Sequence, residues 1–121
     1  MLDAFTKFKS ANLKGFLVWL PMVATDSREA AFERTTSDSR ISEGWDGSLT
    51  IGKAFARTLN LKGTAWDVYL VYEPGTIWSG ADPPVPSFWM HQLSGRCGAP
   101  KELRLEPARF YQAVERSLSG K

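Results

Sequence analysis

The chain has 121 residues, of which 43% are hydrophobic and 23% are charged, as is typical of an ordinary soluble globular protein. This length predicts a single domain, residues 1–121, with one self-sufficient core. A net charge of +2 does not favour a nucleic-acid partner, and the single cysteine excludes an internal disulfide and a zinc ribbon. No apolar stretch reaches the roughly 18 to 20 residues that a spanning helix needs, so we expect no membrane partner.

The start of the chain predicts a helix followed by a buried strand. Apolar residues recur at helical spacing within residues 1–14, which indicates an N-terminal helical segment. The continuous apolar run at residues 16–20 is typical of an interior strand covered on both faces. Lysines precede this run, so a cleaved signal peptide is the alternative interpretation. Because Trp19 and Pro21 interrupt the apolar core, we expect a strand and a cytoplasmic protein.

The middle of the chain alternates between helices and strands. Asp26 is expected to begin a helix as its N-cap, and residues 40–45 form a second, weaker strand candidate. Ser48 is expected to cap a helix that runs to about Leu59. Residues 66–72 predict a central strand, because both of their alternating sets are mostly apolar and are β-branched or aromatic.

The last third of the chain predicts a hairpin and a closing helix. Residues 73–76 favour a type II turn, with proline and glycine at its two central positions. A proline-rich loop follows at residues 79–87, and residues 87–93 return as an extended segment. Pro107 occupies the first position of a helix whose apolar residues recur every four positions. This order of elements predicts an α/β protein in which helices cover both faces of a mixed sheet of about four strands.

Two segments resemble the thioredoxin family. Residues 16–26 read Phe-Leu-Val-Trp-Leu-Pro-Met-Val-Ala-Thr-Asp, similar to the strand-to-helix segment in which thioredoxins carry Phe-Trp-Ala-Pro-Trp-Cys-Gly-Pro-Cys. Residues 61–65 read Leu-Lys-Gly-Thr-Ala, and with the strand and turn after them they resemble the family's Val-x-Gly-Thr-Pro segment and tight hairpin. The resemblance covers residues 15–118 and implies a thioredoxin-like three-layer α/β/α sandwich.

The residues that carry thioredoxin chemistry are absent from this sequence. On the family pattern the two redox cysteines fall on Val23 and Asp26, and the cis-proline falls on Ala65. A dithiol couple requires a thiolate nucleophile and a second, resolving sulfur, so thiol–disulfide oxidoreductase activity is not expected. A non-proline cis peptide bond costs about 3 kcal/mol, so we expect the bond before Ala65 to be trans.

Two single residues are candidates for other chemistry. Arg96 precedes Cys97, and a neighbouring positive charge favours a reactive thiol. The alternative is an incidental thiol with no functional role. His91 is the only histidine, and no metal-ligand spacing includes it. We therefore expect a structural strand histidine that makes one hydrogen bond, with no metal and no cofactor.

The resemblance implies that several aromatic and polar residues lie near the sheet edge where such folds bind ligands. They form a groove for a peptide or a small molecule, or else they are core and cap residues. The candidate ligand-binding residues are Trp19, Pro21, Met22, Asp26, Trp45, Asp46 and Ala65.

Aromatic residues also flank the proline-rich loop. Trp78, Phe88 and Trp89 predict either an exposed patch for a partner or for self-association, or a loop that folds back over the sheet edge.

Three functional hypotheses follow. The first is a non-catalytic binding module for an unknown protein or small molecule, with the thioredoxin scaffold and without its dithiol. The second is an enzyme that uses Cys97 as a lone thiol, or Asp26 and Asp46 as acid and base. The third is a structural homodimer.

Overall fold

The computed structural model describes residues 3–22 and 38–119. The described chain is a mixed α/β protein that divides into two compact units, Met1–Gly52 and Lys53–Lys121. The helix predicted to begin at Asp26 lies outside the described residues. The described elements are α1 (Asp3–Lys7), β1 (Gly15–Trp19), β2 (Ile41–Trp45), α2 (Thr50–Leu59), β3 (Val68–Val71), β4 (Phe88–His91) and α3 (Pro107–Leu118), with 3₁₀ turns at Gly95–Cys97 and Lys101–Leu103.

The first unit is built on a parallel pair of strands. β1 and β2 run in register from Gly15 opposite Ile41 to Trp19 opposite Trp45. Two parallel strands need a long connection between them, and β1 ends at Trp19 while β2 begins at Ile41. On one face of the pair, the buried ring of Phe5 from α1 lies against Gly15. Because side chains alternate along a strand, Phe5 lies on the face that also carries Trp19.

A single arginine ties the N-terminal segment to the start of β2. The guanidinium of Arg40 donates hydrogen bonds to the carbonyl oxygens of Phe5 (2.7 Å), Phe8 (2.7 Å) and Ser10 (2.9 Å). It also forms a 2.6 Å salt bridge with Asp38. Hydrogen bonds from the Arg40 side chain and backbone lower the pKa of Asp38 to about 2. The network satisfies carbonyl groups at the end of α1 that a short helix leaves unpaired.

The expectation that β1 is covered on both faces is wrong for Phe16. The Phe16 side chain is 82% exposed, and in the described part of the chain β1 has only β2 as a strand neighbour. An apolar run shows that both faces of a strand are apolar, but it does not show that a layer packs on each face. The Phe16 side chain is therefore open to solvent, while Val18 on the same face is half-buried.

The second unit is built on an antiparallel hairpin. β3 and β4 pair from Val68 opposite His91 to Val71 opposite Phe88. The turn after β3 has the predicted type II features, because Gly75 has a φ of 85° and the Thr76 N–H donates to the Glu73 carbonyl.

The core of the second unit lies between the hairpin and α3. Met90 is fully buried in β4, and Phe110 and Val114 are buried on α3. The ring of Tyr69 meets Phe110 edge-on, with the ring centroids 6.3 Å apart. Burial and a hydrogen bond to Asp67 raise the pKa of Tyr69 to about 12.

The presence of both helices and strands confirms the predicted α/β class. The described residues contain two separate two-stranded sheets, so the four-stranded sheet stays a prediction. Across the described ranges, none of the helices has the length and apolar character needed to cross a membrane.

Candidate functional site

Two tryptophans stand side by side at the carboxyl ends of β1 and β2. Trp19 and Trp45 occupy directly opposite positions in the parallel register, and both side chains are half-buried. The indole N–H of Trp19 donates to the Glu43 carboxylate at 3.2 Å. Pro21 and Met22 follow β1 and are also half-buried. The edge therefore combines aromatic and aliphatic surface with partial access to solvent.

The loop after β2 is shaped around Trp45. A Cβ atom at Gly47 would lie 2.9 Å from the indole nitrogen of Trp45, so any larger residue would push the ring away. Gly47 thus lets the indole lie close to the loop backbone.

Asp46 holds the start of α2. Asp46 is only 5% exposed, and its carboxylate accepts a 2.9 Å hydrogen bond from the Gly52 N–H. Its carbonyl accepts from Leu49, which has a φ of 63°. The sequence predicted Ser48 in the capping role, but the Ser48 hydroxyl instead lies 2.8 Å from the Thr50 hydroxyl. Asp46 is therefore a cap of the helix N-terminus.

The candidate ligand-binding residues divide between the two units. Ala65 belongs to the second unit, where it is buried, and the peptide bond before it is trans. Val23 and Asp26 lie outside the described residues. The residues that the structure brings to the edge of the first unit are Trp19, Pro21, Met22, Trp45 and Asp46.

His91 is a buried structural residue. Its ring accepts a 3.0 Å hydrogen bond from the Leu93 N–H at Nδ1, so Nε2 carries the proton and donates to the Pro100 carbonyl at 2.7 Å. Two hydrogen bonds, rather than the predicted one, occupy both nitrogens. Trp89 packs its ring 5.7 Å from the imidazole, and both Phe88 and Trp89 are half-buried in β4. Among the described residues, no group of three or more acidic, histidine or cysteine side chains is arranged to hold a metal ion.

Cys97 is a half-buried free thiol at the end of a 3₁₀ turn. Its sulfur lies 3.9 Å from the Ser94 hydroxyl, and its carbonyl accepts a hydrogen bond from the Lys62 N–H at 2.9 Å. The sequence contains no second cysteine to resolve a mixed disulfide. These contacts fix the turn and provide no partner for thiol exchange.

The proline-rich loop folds back onto its own unit. Pro83 and Pro86 are buried, and the loop is held by two side chains from α2 and by Tyr72, which follows β3. The contacts run from Arg57 Nε to Asp82 Oδ1 (2.7 Å), from Thr58 Oγ1 to Pro83 O (2.7 Å) and from Tyr72 OH to Pro84 O (2.7 Å).

The segment between β3 and β4, which includes this loop, leaves apolar side chains in solvent. Ile77 and Val85 are each 76% exposed, and Trp78 is 44% exposed. The Trp78 indole donates to the Gly80 carbonyl at 2.6 Å, and its ring meets Phe55 of α2 edge-on at 5.7 Å. The loop thus packs back on its own unit, while Ile77, Trp78 and Val85 remain exposed.

Comparisons with known proteins provide no relative. No protein-family model, curated protein or solved structure matches this chain.

Proposed function

We propose that this chain is a non-catalytic binding module that uses the carboxyl edge of β1 and β2 to hold a peptide or a small molecule. The observation that carries this proposal is the pair of half-buried tryptophans, Trp19 and Trp45, at the carboxyl ends of adjacent parallel strands. Open α/β sheets bind ligands beyond the carboxyl ends of their strands. Tryptophan is also enriched at binding interfaces, because it buries a large apolar area and keeps a polar N–H group.

Two carboxylates near the edge accept hydrogen bonds from within the chain, which supports binding rather than catalysis. Asp46 accepts the Gly52 N–H, and Glu43 accepts the Trp19 indole N–H. Both groups contribute to local structure through these bonds. The surface that the edge offers to a ligand is accordingly mainly aromatic and aliphatic.

The fold that we propose for this module is the thioredoxin-like sandwich with a four-stranded mixed sheet. The order of elements supports it, as do the parallel first strand pair, the antiparallel second pair and the closing helix. Nuclear Overhauser contacts between backbone protons of the two sheets are expected in solution. Two sheets without such contacts would contradict this fold.

A selection experiment tests the binding site. Random peptides displayed on phage are selected on the wild-type chain, and the affinity of each enriched peptide is measured by calorimetry. We expect Trp45→Leu and Met22→Gln each to weaken binding at least about tenfold, because aromatic and apolar anchors dominate interface energies. Trp66→Leu is the matched control, since it removes a partly exposed tryptophan of the second unit, and it should leave affinity unchanged.

Two outcomes would contradict the proposed site. One is that the control weakens binding as much as the edge variants do. The other is that neither the peptide library nor a thermal-shift screen of metabolites yields a ligand, since a ligand of the native state raises Tm. Circular dichroism melts of all variants separate loss of binding from loss of fold.

The absence of redox chemistry is tested separately. Reduction of insulin by dithiothreitol should proceed at the background rate in the presence of the chain, because its one cysteine cannot form a dithiol couple. Cys97→Ser should leave peptide affinity unchanged. Clear turnover in the insulin assay, abolished by Cys97→Ser, would show that the chain is an enzyme with a lone thiol.

A further inference from the structure

The imidazole of His91 joins both ends of a short segment in the second unit. At the end of β4, its Nδ1 accepts the N–H of Leu93 at 3.0 Å, and its Nε2 donates to the carbonyl of Pro100 at 2.7 Å. These two bonds close residues 93–100 into a loop, which we call the 93–100 segment. The segment contains the 3₁₀ turn Gly95–Cys97.

The bond at Nδ1 exists only while the imidazole is neutral. Its donor is a backbone N–H, so Nδ1 presents a lone pair and a second proton can be added only there. That proton would turn Nδ1 from an acceptor into a donor, and two N–H groups would face each other at 3.0 Å. Both His91 and Leu93 are only 2% exposed. The N–H of Leu93 would therefore be left unpaired and with little access to water, which is costly.

The charges around the ring do not stabilise a protonated imidazole. Both ring nitrogens bond to backbone groups, rather than to a carboxylate that would favour the charged form. Arg104 pairs with His91 in an isolated β-bridge, and its guanidinium donates to the Leu93 carbonyl at 2.7 Å. A permanent positive charge thus contacts the residue whose N–H the imidazole accepts. The other charged residues on elements around β4 are exposed, namely Asp67 before β3, Arg96 in the first 3₁₀ turn, Lys101 and Glu102 in the second, and all charged residues of α3.

We propose that His91 is a pH-sensitive switch that holds the start of the 93–100 segment when neutral and releases it when protonated. The charge of an imidazole ordinarily changes between pH 5 and 8, and His91 is the only histidine of the chain. Proton uptake at Nδ1 breaks the bond to Leu93, whereas Nε2 continues to donate to Pro100. The hold on the segment is complete at the alkaline end of this range and is lost as the pH falls. The switch uses none of the residues at the β1–β2 edge, so it is independent of the proposed ligand site.

Amide hydrogen exchange of the ¹⁵N-labelled chain between about pH 7.5 and 5.5 tests the switch. The exchange rate of each amide is divided by its intrinsic rate at the same pH, which gives a protection factor. The protection factor of Leu93 should fall at least about tenfold, because its N–H loses a buried acceptor. The matched controls are the amides of Gln92 and Lys62, which donate to the carbonyl oxygens of Asp67 and Cys97. A carbonyl oxygen takes up no proton in this range, so these two protection factors should stay unchanged.

The ring and one variant complete the test. Nitrogen chemical shifts of the imidazole should show a proton on Nε2 alone at neutral pH and on both nitrogens in acid. In His91→Asn the amide oxygen can accept the Leu93 N–H and does not titrate, so protection of Leu93 should be independent of pH. If this variant does not fold, the wild-type measurements decide alone.

Three results would overturn the switch. The first is an imidazole that takes up a proton while Leu93 keeps its protection. The second is an imidazole that stays neutral throughout the pH range. The third is a folded His91→Asn variant in which the protection of Leu93 falls with pH as much as it does in the wild type.

Discussion

Replacing Asp46 by alanine should destabilise the chain by removing the cap of α2. The carboxylate accepts the N–H of Gly52, a buried residue, at 2.9 Å. Loss of an N-cap acceptor costs up to about 2 kcal/mol, and we expect the upper end of that range because the N–H left unpaired is buried. A loss of about 2 kcal/mol corresponds to a fall in Tm of about 8 °C for a chain of this length.

Asp46→Asn is the matched control for this variant. The amide oxygen of asparagine accepts the same hydrogen bond, so the loss should be only about 0.5 kcal/mol. Circular dichroism melts and urea titrations of the two variants give the comparison. Equal Tm values for the alanine variant and the wild type would refute the assigned cap. Asp46→Asn should also leave ligand affinity intact, whereas an acid–base role would make this substitution abolish activity.

Three further predictions concern packing, pH and backbone geometry. Met90→Ala should cost about 3 kcal/mol in a urea titration because its side chain is fully buried, whereas Val85→Ala should change stability by less than about 0.5 kcal/mol. The Asp38–Arg40 pair should stabilise the fold fully above a pH of about 4 and lose its effect as pH falls toward 2. The Tm difference between wild type and Asp38→Asn should therefore vanish on acidification, and a constant difference would contradict the lowered pKa. Asn60 has a φ of 58°, so Asn60→Ala should cost about 1 kcal/mol and Asn60→Gly should cost nothing in the same melts.

Elements with local sequence signals were predictable. The second strand was expected at residues 40–45 and is found at Ile41–Trp45. The closing helix begins at Pro107 and ends at Leu118, as its N-terminal proline and its four-residue apolar repeat indicate. Each of these signals depends on a few neighbouring residues, so no long-range information is needed.

Contacts between distant residues were not predictable. Arg40 contacts the carbonyl oxygens of the N-terminal segment across about thirty residues of sequence, and no spacing or motif marks it. Asp46 and Ser48 are both good capping residues, and the backbone conformation at Leu49 determines which of them reaches the helix. The exposure of Phe16 depends on which layers pack against β1, and an apolar run carries no information on this.

The candidate site was also predictable only in part. Trp19 and Trp45 were expected near one edge, and parallel pairing places them directly opposite each other. Their rings lie close to Glu43 and Gly47, which the sequence did not single out. Residue types indicated a binding edge, while the geometry came from contacts that only the folded chain reveals.

The most direct test of the binding edge is to titrate the ¹⁵N-labelled chain with an enriched peptide and to follow the five indole N–H signals by NMR. Single Trp→Phe variants assign each signal. We expect the signals of Trp19 and Trp45 to shift in a saturable manner while that of Trp66 does not. Shifts confined to Trp66, Trp78 and Trp89, with Trp19 and Trp45 unmoved at saturation, would contradict the proposed binding edge.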